Sequence, residues 1–131
     1  MMAKSGLSPT QRTLRAMRDE GRICGIVERF NRFVGAHGIR QDLFGFIDII
    51  ALDTSKGIIG VQSCGTAFSQ HEKKILEERS MECIEWLRCG GKVELWGWRK
   101  VKEKRGGVRM VYKPRFREFT LADFPDVEGS L

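Results

Sequence analysis

Asp48 stands inside the apolar run Leu43-Phe44-Gly45-Phe46-Ile47-Asp48-Ile49-Ile50-Ala51-Leu52. An ionised carboxylate in such a setting costs several kcal/mol unless a cation or hydrogen bonds compensate it. Asp48 therefore needs a partner: backbone amides at a strand end, an arginine, or a metal ion. Asp53-Thr54-Ser55-Lys56-Gly57 has turn chemistry and Ile58 to Val61 resumes the apolar run, so the two segments read as a hairpin. A loop centred on Ser55 sets Gln62 directly opposite Asp48, with Cβ atoms roughly 5 Å apart. Cys64 has the same parity and faces the same side. A carboxylate, a glutamine carbonyl and nearby backbone carbonyls make an oxygen-rich set that suits Mg²⁺ or Mn²⁺. Because glutamine is neutral, such a set binds metal more weakly than two carboxylates do.

A second chemical signal is electrostatic. Arg99, Lys100, Lys102, Lys104, Arg105, Arg109, Lys113, Arg115 and Arg117 stand against one acid, Glu103, which makes residues 99–117 locally +8 in a chain of net +6. A hairpin so charged can track a phosphate backbone without reading bases, or it can be an edge hairpin kept from aggregating by its lysines. Trp96 and Trp98 flank Gly97 on one strand face, placed either to stack on unpaired bases or to cover a packed helix.

Those residues need elements to position them. Ser8-Pro9-Thr10-Gln11 has the grammar of a helix start, with Ser8 as N-cap, Pro9 at the first helical position and Gln11 completing a capping box. Leu14 and Met17 form its apolar stripe and Gly21 its stop, which predicts a helix over 9–20. Residues 23–30 suit a strand, 35–40 a loop, and 43–52 a strand buried on both faces. Phe68, Ile75, Leu76, Cys83, Ile84 and Leu87 recur at helical spacing, predicting one long helix over 65–89 that Ser69 and Glu72 can cap if it starts late. Strands over 92–101 and 108–112 complete the order αβββαββ, that of one α/β domain with a mixed sheet over residues 1–131.

Composition excludes several classes. With 131 residues, 41% hydrophobic, 31% charged and only 3 Pro, the chain is neither disordered nor fibrous. No apolar run approaches the roughly 20 residues that span a bilayer, and residues 1–6 lack the apolar core of a signal peptide, so a cytoplasmic protein without a membrane partner is expected. Cys24, Cys64, Cys83 and Cys89 form no C-x-x-C pair, and His37 and His71 stand in no metal-ligand motif. Free thiols are expected, and zinc hydrolase or Cys-His chemistry is disfavoured.

Asp48-Ile49-Ile50-Ala51-Leu52 followed by Ile59-Gly60-Val61-Gln62-Ser63-Cys64 resembles the paired motifs of the PD-(D/E)XK nuclease superfamily, and especially its Holliday junction resolvase-like members. There an aspartate before an apolar run is followed, after a turn, by acid-x-Lys on the next strand. The resemblance extends over residues 8–90. It implies a restriction-endonuclease-like sheet, metal-dependent phosphodiester hydrolysis, DNA as partner, branched DNA among the substrates, and a homodimer. It also implies that Asp48 is a metal ligand, Gln62 the counterpart of the second acid, and the Ser63 carbonyl a further ligand. Cys64 stands where the superfamily has its lysine, so the resemblance looks to Lys73 or Lys74 on the following helix for the missing cation. Thr10 and Gln11 stand where many members carry a glutamate, which leaves Glu28 or Asp42 to supply the oxygen. Asp42, six residues before Asp48, reaches that metal only if the strand bends. The alternatives are a catalytically silent DNA-binding module with the same fold and an accessory protein that binds an acidic partner.

Overall fold

A computed structural model describes residues 6–125; the ends of the expected 1–131 domain lie outside the described residues. Helix α1 spans Pro9–Asp19, with the Ser8–Gln11 capping box formed in both directions. Strand β1 (Ile23–Ile26) follows, then a small ribbon of β2 (Arg29–Asn31) and β3 (Ile39–Gln41), then β4 (Ile49–Asp53) and β5 (Gly57–Cys64). Helices α2 (Phe68–Lys73) and α3 (Ser80–Arg88) lead to β6 (Lys92–Lys102) and β7 (Met110–Phe119). The result is an α/β fold: a five-stranded mixed sheet in the order β1-β4-β5-β6-β7, flanked by helices. Only the β5–β6 neighbours are parallel, because α2 and α3 carry the chain across between them.

Two apolar layers hold the sheet. Leu14 and Met17 of α1 pack with Ile49, Ala51, Ile59, Val61, Trp96 and Trp98 on one face. Phe68, Ile75 and Cys83 pack with Cys64, Val93, Leu95 and Phe119 on the other. Each fully buried large side chain stabilises by about 1.5–3 kcal/mol. The tryptophans thus serve α1: Trp98 Nε1 donates to Thr13 Oγ1 at 2.8 Å, and Trp96 Nε1 to Glu94 Oε1 at 3.0 Å. Glu94, fully buried, is held by Arg22 at 2.8 Å and Lys56 at 3.2 Å, the compensation a buried charge requires.

Five expectations change, the first being the strand expected over 108–112, which runs instead over Met110–Phe119. Residues 43–52 are not one strand: Leu43 bridges back to Ile47 around Phe44 (φ 56°) and Gly45 (φ 81°), and β4 begins only at Ile49. Two successive left-handed residues reverse a chain as a tight hairpin turn does, and glycine supplies one of them without a steric cost. The expected strand 23–30 divides because the Val27 and Glu28 amides leave the ladder and donate to the Asp48 carbonyl at 3.0 and 3.3 Å. The expected loop 35–40 ends in β3. The long helix over 65–89 starts at Phe68 without a side-chain cap, widens to a π-turn over Lys74–Glu78 and breaks at Arg79. Glu72, the expected capping residue, instead accepts from Arg117. The hairpin register matches the expectation, pairing Ile49 with Val61 and Asp53 with Gly57.

Candidate metal centre

Asp48 lies at the mouth of β4, its N–H donating to the Val61 carbonyl at 2.9 Å. Its Oδ2 accepts from Gln62 Nε2 at 3.0 Å and from both the N–H and the hydroxyl of Ser63 at 3.1 Å. Among the described residues its Oδ1 is buried with no partner. Burial pushes the Asp48 carboxyl up to about 7 against the Ser63 and Gln62 donors that pull it down, and the nearby Asp42 raises it further. An orphaned, buried carboxylate oxygen is costly and marks a place for a proton or a cation.

Two further carboxylates converge there. The Phe44-Gly45 turn folds Asp42 back toward Asp48, and the amides of Val27 and Glu28 tie the end of β1 to the Asp48 carbonyl. Glu28, Asp42 and Asp48 each offer an oxygen, all within 4.8 Å of one another. Burial raises the Glu28 carboxyl, with the Asp42 charge a further cause. Three hard oxygen donors, one of them orphaned, could hold a metal ion.

Of the two helix lysines, Lys74 approaches the cluster. Its Nζ stands 3.2 Å from Asp42 Oδ2 and 3.1 Å from Gln62 Oε1. Lys73 is exposed and is not brought to the site. A π-turn opens at Lys74, and such widened turns are frequent at functional sites. Gln62 bridges Lys74 and the carboxylates, with its amide nitrogen toward Asp48 and Asp42, while Ser63 engages Asp48 through its N–H and hydroxyl. Both thus order the carboxylate that faces the cluster. Ser63 Oγ also lies 3.0 Å from Thr10 Oγ1, which joins the start of α1 to the site. Cys64 is buried, and burial pushes its thiol up to about 11, so it is a core residue with no part in the hydrogen bonds of the site. His71 Nδ1 is the other buried side-chain atom without a partner among the described residues, and burial beside Lys74 lowers its pKa.

A groove of about 660 Å³ opens beside Asp42, lined by Arg29, Arg40, Lys74 and Arg79 among others. These arginines escaped the sequence reading because they are scattered through three segments and no run of charge signals them. The expected basic hairpin divides by strand parity. Arg99, Lys113, Arg115 and Arg117 share the face of Gln62, whereas Lys100 and Lys102 share the face of α1. Arg115 lies over the Phe68 ring at 4.3 Å and Arg117 pairs with Glu72 and Asp123 at 2.8 Å, so Arg117 is held internally. Lys104, Arg105 and Arg109 are exposed in the turn, with Arg109 3.5 Å from Glu103. No family model, curated protein or solved structure matches the chain. Among the described residues, no helix is long and apolar enough to cross a membrane.

Proposed function

We propose that the protein is a metal-dependent nuclease with a restriction-endonuclease-like fold that hydrolyses phosphodiester bonds in DNA. The observation that carries this is the convergence of Glu28, Asp42 and Asp48 around the orphaned Asp48 Oδ1, with the Lys74 ammonium at the rim of a cationic groove. The αβββαββ order supports it, with the β2–β3 ribbon as an insertion after β1. So does the placing of Asp48 at the start of β4 and Gln62 on β5. Glu28, Asp42 and Asp48 would hold a divalent cation, which would supply a bound water of lowered pKa and polarisation of a phosphoryl oxygen. Gln62 and Ser63 orient Asp48, Arg29, Arg40 and Arg79 offer phosphate contacts, and Lys74 stabilises charge developing on the scissile phosphate.

The replacement of the superfamily's acid-x-Lys by Gln62-Ser63-Cys64 favours a second reading, a DNA-binding module without cleavage. Incubating the protein with linear, single-stranded and branched DNA, in Mg²⁺, in Mn²⁺ and in chelator, separates the two. Cleavage that needs metal and disappears in Asp48→Ala is expected. Metal-independent cutting, or cutting that survives loss of Asp48, would reject the site, and salt-sensitive binding without cutting would establish the second reading.

A further inference from the structure

Between Glu28 and Asp42 the chain leaves the sheet and returns to it, so both stems of the β2–β3 ribbon carry carboxylates of the candidate centre. No residue of the ribbon enters either core layer. Phe30 is 60% and Phe33 87% exposed, in a chain that buries Phe46, Phe68, Phe119 and Phe124. Residues 29–41 hold three arginines and no acid.

The tip is nonetheless ordered by local contacts. The Phe33 N–H donates to Asn31 Oδ1 at 3.0 Å, and the Arg32 guanidinium lies 5.3 Å from the Phe33 ring centre. Gly38, at φ 78°, leaves room for the Phe30 ring to lie against it. A hollow of about 480 Å³ runs from Arg29 to Phe33, and the larger groove beside Asp42 begins at the base of the same ribbon.

Exposed aromatic faces among cations recognise a phosphodiester strand whose bases are unpaired: guanidinium groups take the phosphates and the ring takes the face of a base. A paired duplex offers the phosphates but no free base face. An anionic bilayer would satisfy arginine and phenylalanine too, yet it gives no use to the carboxylates at both stems, which would repel its headgroups.

We infer that the ribbon is a base-stacking subsite, in which Phe33 stacks on an unpaired base while Arg29, Arg32 and Arg40 hold its flanking phosphates, next to the Glu28–Asp42–Asp48 centre. The subsite deepens the nuclease reading and rests on it, selecting nucleic acid with a single-stranded segment at the bond to be cut.

The test measures binding of the full chain, in chelator, to a short single strand containing 2-aminopurine and to a blunt duplex of the same sequence, for wild type, Phe33→Ala and Phe33→Trp. Phe33→Ala is expected to weaken the single strand about five- to hundredfold and to leave the duplex unchanged. Phe33→Trp should restore the single strand and show indole quenching by the stacked base. Wild type that binds both DNAs, with Phe33→Ala equal to it on the single strand or weakened equally on both, would overturn the subsite and leave the nuclease reading standing. Wild type that binds neither DNA would overturn both. Phe33→Ala that loses adsorption to phosphatidylserine vesicles, or turns a dimer into a monomer, with DNA binding untouched, would overturn the subsite and assign the ribbon to a membrane or to a second copy.

Discussion

Asp48 carries the strongest consequence at the scale of single residues. Its folded carboxyl titrates at about 7 against an ordinary 3.8. The native state then holds a proton that the unfolded state has released, so metal-free stability falls as pH rises across that window and stays reduced above it. Asp48→Asn should flatten the slope and, in chelator above about pH 7, should be more stable than wild type by up to a few kcal/mol. Urea midpoints at several pH values check this; a slope equal to wild type's would refute it. Mn²⁺ binding should disappear in the same variant, as calorimetry would show. The two helix lysines differ as sharply. Lys74→Ala should reduce metal-dependent cleavage roughly a hundred- to thousandfold, the usual loss for one preorganised charge stabiliser. Lys73→Ala should leave the rate unchanged, because its side chain is exposed and away from the cluster. Equal losses in the two would deny Lys74 its role.

Among the elements, the Phe44-Gly45 turn decides whether the site exists. It converts the expected strand into a reversal that returns Asp42 to Asp48, and a Cβ on Gly45 would stand 2.5 Å from Arg79 Nε at a φ of 81°. Gly45→Ala should cost about 1–3 kcal/mol in a urea titration, since strain at a left-handed position adds to the displaced Arg79. It should also weaken Mn²⁺ binding, although residue 45 is no ligand. A variant that loses stability but keeps full metal affinity would show that the turn does not set the Asp42 position.

Over the whole molecule, the cations of residues 99–117 divide between the two faces of the sheet. If DNA lies across the face shared by Gln62 and the groove, Lys113→Ala and Arg115→Ala should each reduce the log-log salt slope of binding by about one. Arg117→Ala should leave that slope unchanged and lower stability by about 1–2 kcal/mol, because its guanidinium is committed to Glu72 and Asp123. Salt titrations of the three variants, with a urea curve for each, test the division. A slope change in Arg117→Ala equal to that in Arg115→Ala would refute it.

Local chemistry was legible in the sequence wherever neighbours along the chain settle the outcome. The Ser8–Gln11 capping box, the turn at Ser55 with the register that brings Asp48 to Gln62, the α/β order and the alternation of Trp96 and Trp98 with Leu95 all depend on residues within one element or one hairpin. Asp48 was legible as a candidate because an acid in an apolar run is costly in any fold. The rest was decided by contacts between distant segments. Glu28 and Asp42 become neighbours of Asp48 only when the ends of β1 and the turn at Gly45 dock on β4, and Lys74 rather than Lys73 meets Asp42 and Gln62 only once the helix is packed on the sheet. The Arg22–Glu94 pair, 72 residues apart, and the exposed ribbon likewise arise in three dimensions, where apolar burial sets which face of each strand is covered and leaves the inserted ribbon outside.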